Sequence, residues 1–456
     1  WQPQLGSQLD ISAIDSVVAA HPDQMAAWHD EAEAFANQEH GDLGGASAYF
    51  EPGTARFDSL LSDITSKTSF LEGGSRIQDK SALYHLHGEK TFNTEFAKFT
   101  AGANGRIYTP KSDGALFSDT GGVTIVNREF GVYAGLEKRF KDDELILKAS
   151  VRVDKNENFD FLPSPAVSLI WQPNKEHSLR ATLTSAIRNP TLLNQYMYYN
   201  VGRAKLVGNI SGYDSLVTIE SLRDYYYTQS PDTLSYFNLD PIAPEEVKSV
   251  EVGYRGVVFK NLYVDMNYYF NSYTNFIGFT TGADITILQS GFIVNDVYRI
   301  ATNSKETITT QGATVGLNYY LGDHYAINGN YSWNVLNKES DDPIIPAYNT
   351  PEHKFNIGFR GRDLAIKKFK GFGFNVNYKW IEGFIYEGSP QFTGSVPTYG
   401  LLDAQINKKI KKANLTVKIG ASNLLNNQVL QVYGGPFVGR MIYTSISFDW
   451  KDKKDK

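Results

Sequence analysis

From residue 79 onward, apolar and polar positions alternate with a period of two, and little of this stretch reads as helix. In ELILKASVRVD, Leu145, Leu147, Ala149, Val151 and Val153 share one face. Lys148, Ser150, Arg152 and Asp154 share the other, because successive side chains on a strand point to opposite sides. NLYVDMNYYFN sets Leu262, Val264, Met266, Tyr268 and Phe270 against Tyr263, Asp265, Asn267, Tyr269 and Asn271. FGFNVNYKW, HKFNIGFR and NLTVKIGAS repeat the scheme. The last strand, within GRMIYTSISFDW, places Ile442, Thr444, Ile446, Phe448 and Trp450 opposite Tyr443, Ser445, Ser447 and Asp449. About 15 such segments are predicted, far above the ordinary share of strand.

The connections between these segments alternate in length. Short ones are expected near 92–93 and at 140–142, 173–175, 256–260, 321–323, 361–370 and 408–413. Long ones are expected at 1–78, 108–123, 155–162, 188–245, 279–306, 335–351, 383–397 and 423–436. Antiparallel neighbours joined by turns on one side and long loops on the other have the layout of an outer-membrane barrel, with periplasmic turns and external loops. The rival is a soluble sheet with one wet face. It would turn the apolar faces inward, and a closed barrel of this many strands is too wide for side chains to fill. The pattern therefore predicts an all-β, transmembrane antiparallel barrel with apolar faces toward lipid. Residues 1–78 form an extracellular loop region with a short helical insert, 79–450 the barrel and its loops, and 451–456 a charged periplasmic tail. Counting strands back from residue 450 leaves 1–78 outside. Barrels of this kind close on an even strand number with both ends inside, so the parity predicts the C-terminal part of a longer chain.

Composition adjusts this picture in few places. Tyr and Phe are abundant (28 and 27), Cys is absent, and a net charge of −6 gives no reason to expect nucleic acid as a partner. An absence of Cys fits an oxidising compartment. No run of about 18 apolar residues exists, so helical membrane spans are not expected. The opening WQPQLGSQLD has no basic and apolar leader. A mean hydropathy of −0.34 looks soluble, but a membrane strand shows only half of its residues to lipid.

Several local motifs resemble the TonB-dependent outer-membrane receptors, especially those of the Bacteroidota. They are SAIRNPT (185–191), PEEVKSVEVGYRG (244–256), VPTYGLLDAQI (396–406), SNLLNNQ (422–428) and GRMIYTSISFDW (439–450), in that family's order and covering most of 79–450. The resemblance implies a barrel of about 22 strands. It also implies an N-terminal plug inside the barrel and uptake energised by a TonB-type periplasmic complex. Neither a plug nor a coupling box is recognisable in this sequence. Tyr443, Phe448 and Trp450 resemble the terminal signal read by the barrel-assembly machinery, although six charged residues follow Trp450.

Transport needs no catalytic group, so the expected site is a binding surface. The loop 188–245 carries Tyr196, Tyr198, Tyr199, Tyr225, Tyr226 and Tyr227, with Arg203 and Arg223 available to orient a polar ligand. Aromatic faces stack on sugar rings or flat chelates; they also pack loops against one another. Tyr386 and Phe392 in the loop 383–397 join the candidates. His85 and His87 share a strand face with Glu89, and can chelate or hydrogen-bond to neighbours. His29 and His40 lie in the helical stretch DQMAAWHDEAEAFANQEHGD without a ligand spacing. No nucleophile elbow, metal tetrad or phosphate-binding glycine loop occurs, so an enzyme reading lacks its constellation and no cofactor is expected.

Three functions remain open at this point. One is active import of a bulky nutrient, such as a siderophore, a cobalamin-like cofactor, a glycan or a peptide. Another is a passive porin-type channel of about 16 strands. The third is a barrel that docks a surface lipoprotein within a larger envelope complex.

Overall fold

The computed structural model describes residues 21, 24, 27, 28, 30, 31, 52–67, 72, 74–202, 204–288, 291–337, 348–367, 369–387 and 393–450. The chain forms two compact units, 1–77 and 78–456. In the first, helix α1 (Ala55–Ser66) is capped by Thr54, whose hydroxyl accepts from the Phe57 amide, and carries an Asp63–Lys67 pair one turn apart. The sequence pattern does not predict this helix. Most of the expected helix near residues 23–42 falls outside the described residues, including His29 and His40.

The second unit is built on one antiparallel sheet of 15 strands. In chain order these are β1 (Ala82–Asn93), β2 (Lys98–Thr109), β3 (Asn127–Phe140), β4 (Leu145–Asn156), β5 (Phe159–Asn174), β6 (His177–Arg188), β7 (Glu245–Val258) and β8 (Leu262–Thr274). They continue as β9 (Ile308–Leu321), β10 (Tyr325–Asn337), β11 (His353–Ile366), β12 (Phe369–Ile381), β13 (Tyr399–Ile410), β14 (Leu415–Ser422) and β15 (Met441–Phe448). Each inner strand pairs with the strands before and after it, so the sheet is a meander; among the described residues β1 and β15 are each paired on one side only.

The register keeps one face apolar across the whole sheet. Phe130, Val132, Val151, Val167, Ile357 and Ile419 stand on it, all strongly exposed. A face this apolar and this exposed is what lipid, not water, requires. Aromatics gather toward both ends of the strands. Tyr325, Phe359 and Phe374 form one cluster on the turn side, and Phe355, Tyr378 and Trp380 another on the loop side. Among the described residues no helix is long and apolar enough to cross a membrane.

The alternation of connections holds with one exception. Turns of two to four residues join β1–β2, β3–β4, β5–β6, β7–β8, β9–β10, β11–β12 and β13–β14. The expected long connection at 155–162 is instead the two-residue turn 157–158. Two prolines, Pro163 and Pro165, make this stretch look unlike a strand. In β5 they pair with Val153 and Val151 of β4, while pairing to β6 begins only at Ala166, so the missing amides break no ladder bond. The turn 259–261 also lacks a glycine signal: Phe259 and Lys260 take left-handed φ of 53° and 65°, as a tight hairpin turn demands.

Candidate ligand-binding loops and the polar wall

Two of the long connections, 189–244 and 275–307, are not separate loops. Their short strands build one six-stranded sheet in the order 236–239, 213–217, 277–288, 291–303, 205–207, 198–200. The segment 279–306, expected to be irregular, is mostly the hairpin Ile277–Leu288/Gly291–Asn303. The core of this small sheet is Val207, Leu216 and Ile300, with Tyr213, Phe237, Leu239 and Tyr298 packed against it. Helix α2 (Leu192–Tyr196) and helix α3 (Ile219–Thr228) flank its strands; Thr191 caps the first in a capping box and Thr218 the second.

Side chains from the sequence motifs anchor this loop sheet at its base. Glu245 is buried; its carboxylate accepts from Arg188 Nη2 at 2.6 Å and from the Ile277 amide at 3.0 Å. Asn303 reads the main chain of Ala243 twice, accepting from its amide (2.7 Å) and donating to its carbonyl (2.9 Å), and also donates to the Asn275 carbonyl. A chain of amides holds the start of the first loop. Asn156 bonds to Asn127 and to Glu129, Asn189 donates to Glu129, and Asn158 donates to Gln195 (2.7 Å) and to the Tyr196 hydroxyl (2.5 Å). Buried amides so paired fix a segment against its support. The RNPT and PEE motifs thus place the loops.

A second junction ties the loop strands together. Lys205 pairs with Asp296 at 2.6 Å, and its ammonium lies 5.8 Å and 6.0 Å from the ring centres of Tyr198 and Tyr298. The Tyr298 hydroxyl donates to Asp296 at 3.1 Å. Burial, reinforced by the Asp296 carboxylate, pushes the Tyr298 phenol up to about 12. The hydrogen bond that Lys205 donates to Asp296 raises its pKa against the opposing effect of burial. Between β2 and β3, Asp119 is buried against the amides of Ser112, Asp113 and Gly114 and the Ser112 hydroxyl. Burial opposes ionisation of Asp119, but these four donors outweigh it and hold the carboxyl below its usual range.

The candidate aromatics therefore divide. Tyr196 is the hydrogen-bonded end of α2, Tyr198 stands beside Lys205, Tyr199 is half-buried in the same short strand, and Tyr225 is buried under α3. Tyr226 and Tyr227 remain exposed, edge to face at 5.5 Å, with Arg223 exposed on the same helix. Tyr386 is half-buried in the hairpin Phe384–Glu387/Thr393–Val396. Arg203 and Phe392 lie outside the described residues. At the chain's end Tyr443 stands on the polar face and donates to Gln405, while Phe448 and Trp450 meet edge to face and are exposed. Sequence reasoning missed Glu245, Asn303, Lys205 and Asp296, because their partners are distant in the chain.

The polar face of the main sheet is itself organised. Across β1–β8 it carries cross-strand ion pairs: Arg106–Glu129, Lys148–Glu137, Arg180–Glu251 and Arg255–Asp265, with Arg152 paired to Asp154 along β4. His87 Nε2 lies 2.8 Å from the Tyr133 hydroxyl, which donates to Glu89 at 2.6 Å, so His87 is engaged with its neighbours. From β9 to β13 the face carries mainly carboxamides, hydroxyls and glycines, with the cations Lys354 and Arg360 and, among the described residues, one cross-strand ion pair, Lys379–Asp403.

A sheet with an apolar, aromatic-banded face, a polar opposite face, turns at one rim and folded loops at the other defines an outer-membrane β-barrel protein. The family model for "TonB dependent receptor-like, beta-barrel" matches residues 22–424, and the chain belongs to that outer-membrane family. Solved structures of similar fold include the copper transporter OprC (TM-score 0.58, 14% identity, covering 84% of this chain and 59% of that one). The siderophore receptor PirA from Acinetobacter baumannii (0.55, 15%, 80% and 54%) and the FrpB iron transporter from Neisseria meningitidis (0.56, 13%, 80% and 55%) are also similar. The chain thus spans little more than half the length of these structures. No curated protein matches it.

Proposed function

We propose that this chain supplies the greater part of the barrel of an energy-coupled outer-membrane receptor that imports a bulky nutrient. The observation that carries the reading is the polar wall combined with loops folded into a sheet of their own. A passive pore needs only a wall; an anchored outer subdomain with exposed Tyr226 and Tyr227 is suited to capture. The free edges of β1 and β15 each expose main-chain donors and acceptors, which in lipid cost several kcal/mol per bare group. Further strands, closing a barrel of about 22, satisfy them in this reading. A TonB-type complex provides the energy, the barrel-assembly machinery reads Tyr443, Phe448 and Trp450, and a surface lipoprotein is a candidate partner for the loops.

The cargo class proposed here is a scarce solute too large for general diffusion: a siderophore, a cobalamin-like cofactor, a glycan or a peptide. The test is uptake in cells expressing the full-length protein, before and after collapse of the proton-motive force. Accumulation that stops with the collapse, while surface binding persists, supports the reading. Accumulation that continues unchanged overturns it in favour of a passive channel.

A further inference from the structure

Charge is unevenly spread along the turn rim of the sheet. The turn ends of β11–β14 carry Lys367, Lys370, Lys408, Lys409, Lys411 and Lys412. Against them, among the described residues of those ends and the adjoining end of β15, stand Asp363 and Asp449. The ion pair on these strands is Lys379–Asp403, so none of the six lysines is paired among the described residues, and five of them are exposed. The β3–β4 end is the opposite case. There Asp142, Asp143 and Glu144 share the turn with Lys141, and Arg139 is taken by Glu137 and Asp143.

Lys408 marks the depth at which the unpaired charges sit. It stands on the apolar face opposite Phe372, its ammonium 4.0 Å from the centre of that ring and 5.9 Å from that of Phe369. The same ammonium donates to the Lys370 carbonyl. A lysine on a lipid-facing strand lays its stem along apolar surface and carries its charge to the interface. Phe374, in the turn-side aromatic band, is two residues further up β12, about 7 Å along the strand. A headgroup layer extends about 5–8 Å beyond the hydrocarbon, so these lysines are level with lipid phosphates. Beside them Ile366 and Phe369 pair across the turn, each 58% exposed.

We propose that the turn rim of β11–β14 is a binding site for anionic phospholipid of the periplasmic leaflet, the side on which barrels of this kind carry their short turns. The ligand chemistry is a phosphodiester without an ammonium of its own, held among several lysines, with its acyl chains against Ile366, Phe369 and Phe372. Clusters of roughly four to eight lysines and arginines at a membrane surface select such headgroups. A zwitterionic lipid brings its own cation, which these lysines repel. An acidic protein segment matches the charge but leaves the apolar rim and the lipid-facing Lys408 unused; a lipid meets both. The site belongs to the membrane around the chain, whatever the cargo and however its passage is energised.

Two tryptophans report on the two ends of the rim. Trp450 is 82% exposed next to the β13–β14 turn, where the Asp449 amide donates to the Asn414 carbonyl. Trp171 is 49% exposed next to the β3–β4 turn, where the Gln172 amide donates to the Glu144 carbonyl. The full-length protein is reconstituted in phosphatidylcholine vesicles holding a minor fraction of brominated phosphatidylglycerol, or the same fraction of brominated phosphatidylcholine. The contribution of each tryptophan is the fluorescence missing from Trp450→Phe or Trp171→Phe. Phosphatidylglycerol should quench Trp450 with an apparent affinity at least about fivefold above that of phosphatidylcholine, the effect of one lysine at the surface. It should show no such preference at Trp171, and added salt should weaken the preference at Trp450. Combining Lys370→Gln, Lys408→Gln, Lys411→Gln and Lys412→Gln should abolish the preference and leave Trp171 quenching unchanged. Arginine at the same four positions should retain it, which separates loss of charge from loss of fold. Equal quenching of Trp450 by both lipids, the same preference at Trp171, or a preference that survives the four glutamines overturns the proposal. Soluble polyglutamate bound through the same lysines, with no lipid preference, assigns the patch to an acidic protein and overturns it too.

Discussion

Replacing Glu245 with Ala tests whether the loop sheet is held at its base as the geometry requires. The carboxylate is 7% exposed and accepts from Arg188 and from the Ile277 amide. Arg188 is 55% exposed, so its attraction to Glu245 is largely screened and contributes about 0–1 kcal/mol. The stranded Ile277 amide costs about 1–3 kcal/mol. Together the loss is roughly 1–4 kcal/mol, charged to the loop sheet and not to the barrel. The opening equilibrium of the loops should then rise roughly 5- to 700-fold, at tenfold per 1.4 kcal/mol. Hydrogen exchange in vesicles reads this directly: amides of 205–207 and 298–300 should lose protection while those of β9–β12 keep theirs. Glu245→Gln retains an acceptor for Ile277 and should recover most of the difference. Unchanged protection in Glu245→Ala, or a loss that spreads through β9–β12, would refute the reasoning.

Four further outcomes follow from the same contacts. The Tyr298 phenol is raised, so the stability it contributes is complete below the ordinary tyrosine value of 10.0 and is lost as pH rises through about 12. The phenolate absorbance missing from Tyr298→Phe should appear near that upper value, and one appearing near 10.0 would contradict the burial. The Asp119 carboxyl is lowered, so its contribution is present above 3.8 and is lost as pH falls through the lower folded value. Exchange of the 112–114 amides should quicken on acidification below 3.8, and Asp119→Ala should show that quickening already at neutral pH. Ile357→Lys puts a charge on the lipid face and should cost about 2–4 kcal/mol in urea titrations from bilayers, whereas Asn356→Lys beside it should be nearly neutral. Gly102→Val places a side chain where the Tyr133 ring lies, which should cost about 1–3 kcal/mol and free His87 from its hydroxyl partner, visible in the histidine proton resonances.

Much of the barrel was legible because its signal is local. A strand with lipid on one side and polar groups on the other must alternate, and each of the 15 strands does so within its own dozen residues. The misses came where local rules bend. The connection expected at 155–162 is only the turn 157–158, because β5 starts at Phe159 and its prolines lie where β6 does not yet pair alongside. By contrast the short turn expected at 256–260 is present at 259–261, where Phe259 and Lys260 take the place of the usual Asn and Gly. The loop aromatics were visible as candidates, yet Tyr225 and Tyr226 are adjacent in sequence and opposite in fate, one buried and one exposed.

The sequence by itself determined the strand count, the faces, the alternating connections and the family, since each follows from short-range periodicity or from contiguous motifs. Only the tertiary structure decided that two loops form one sheet, that Glu245 and Asn303 hold it, and that the cross-strand ion pairs of the polar wall gather on β1–β8. Those facts depend on which distant strands become neighbours. A two-residue period says which way a side chain points; it carries no information about what waits across the gap.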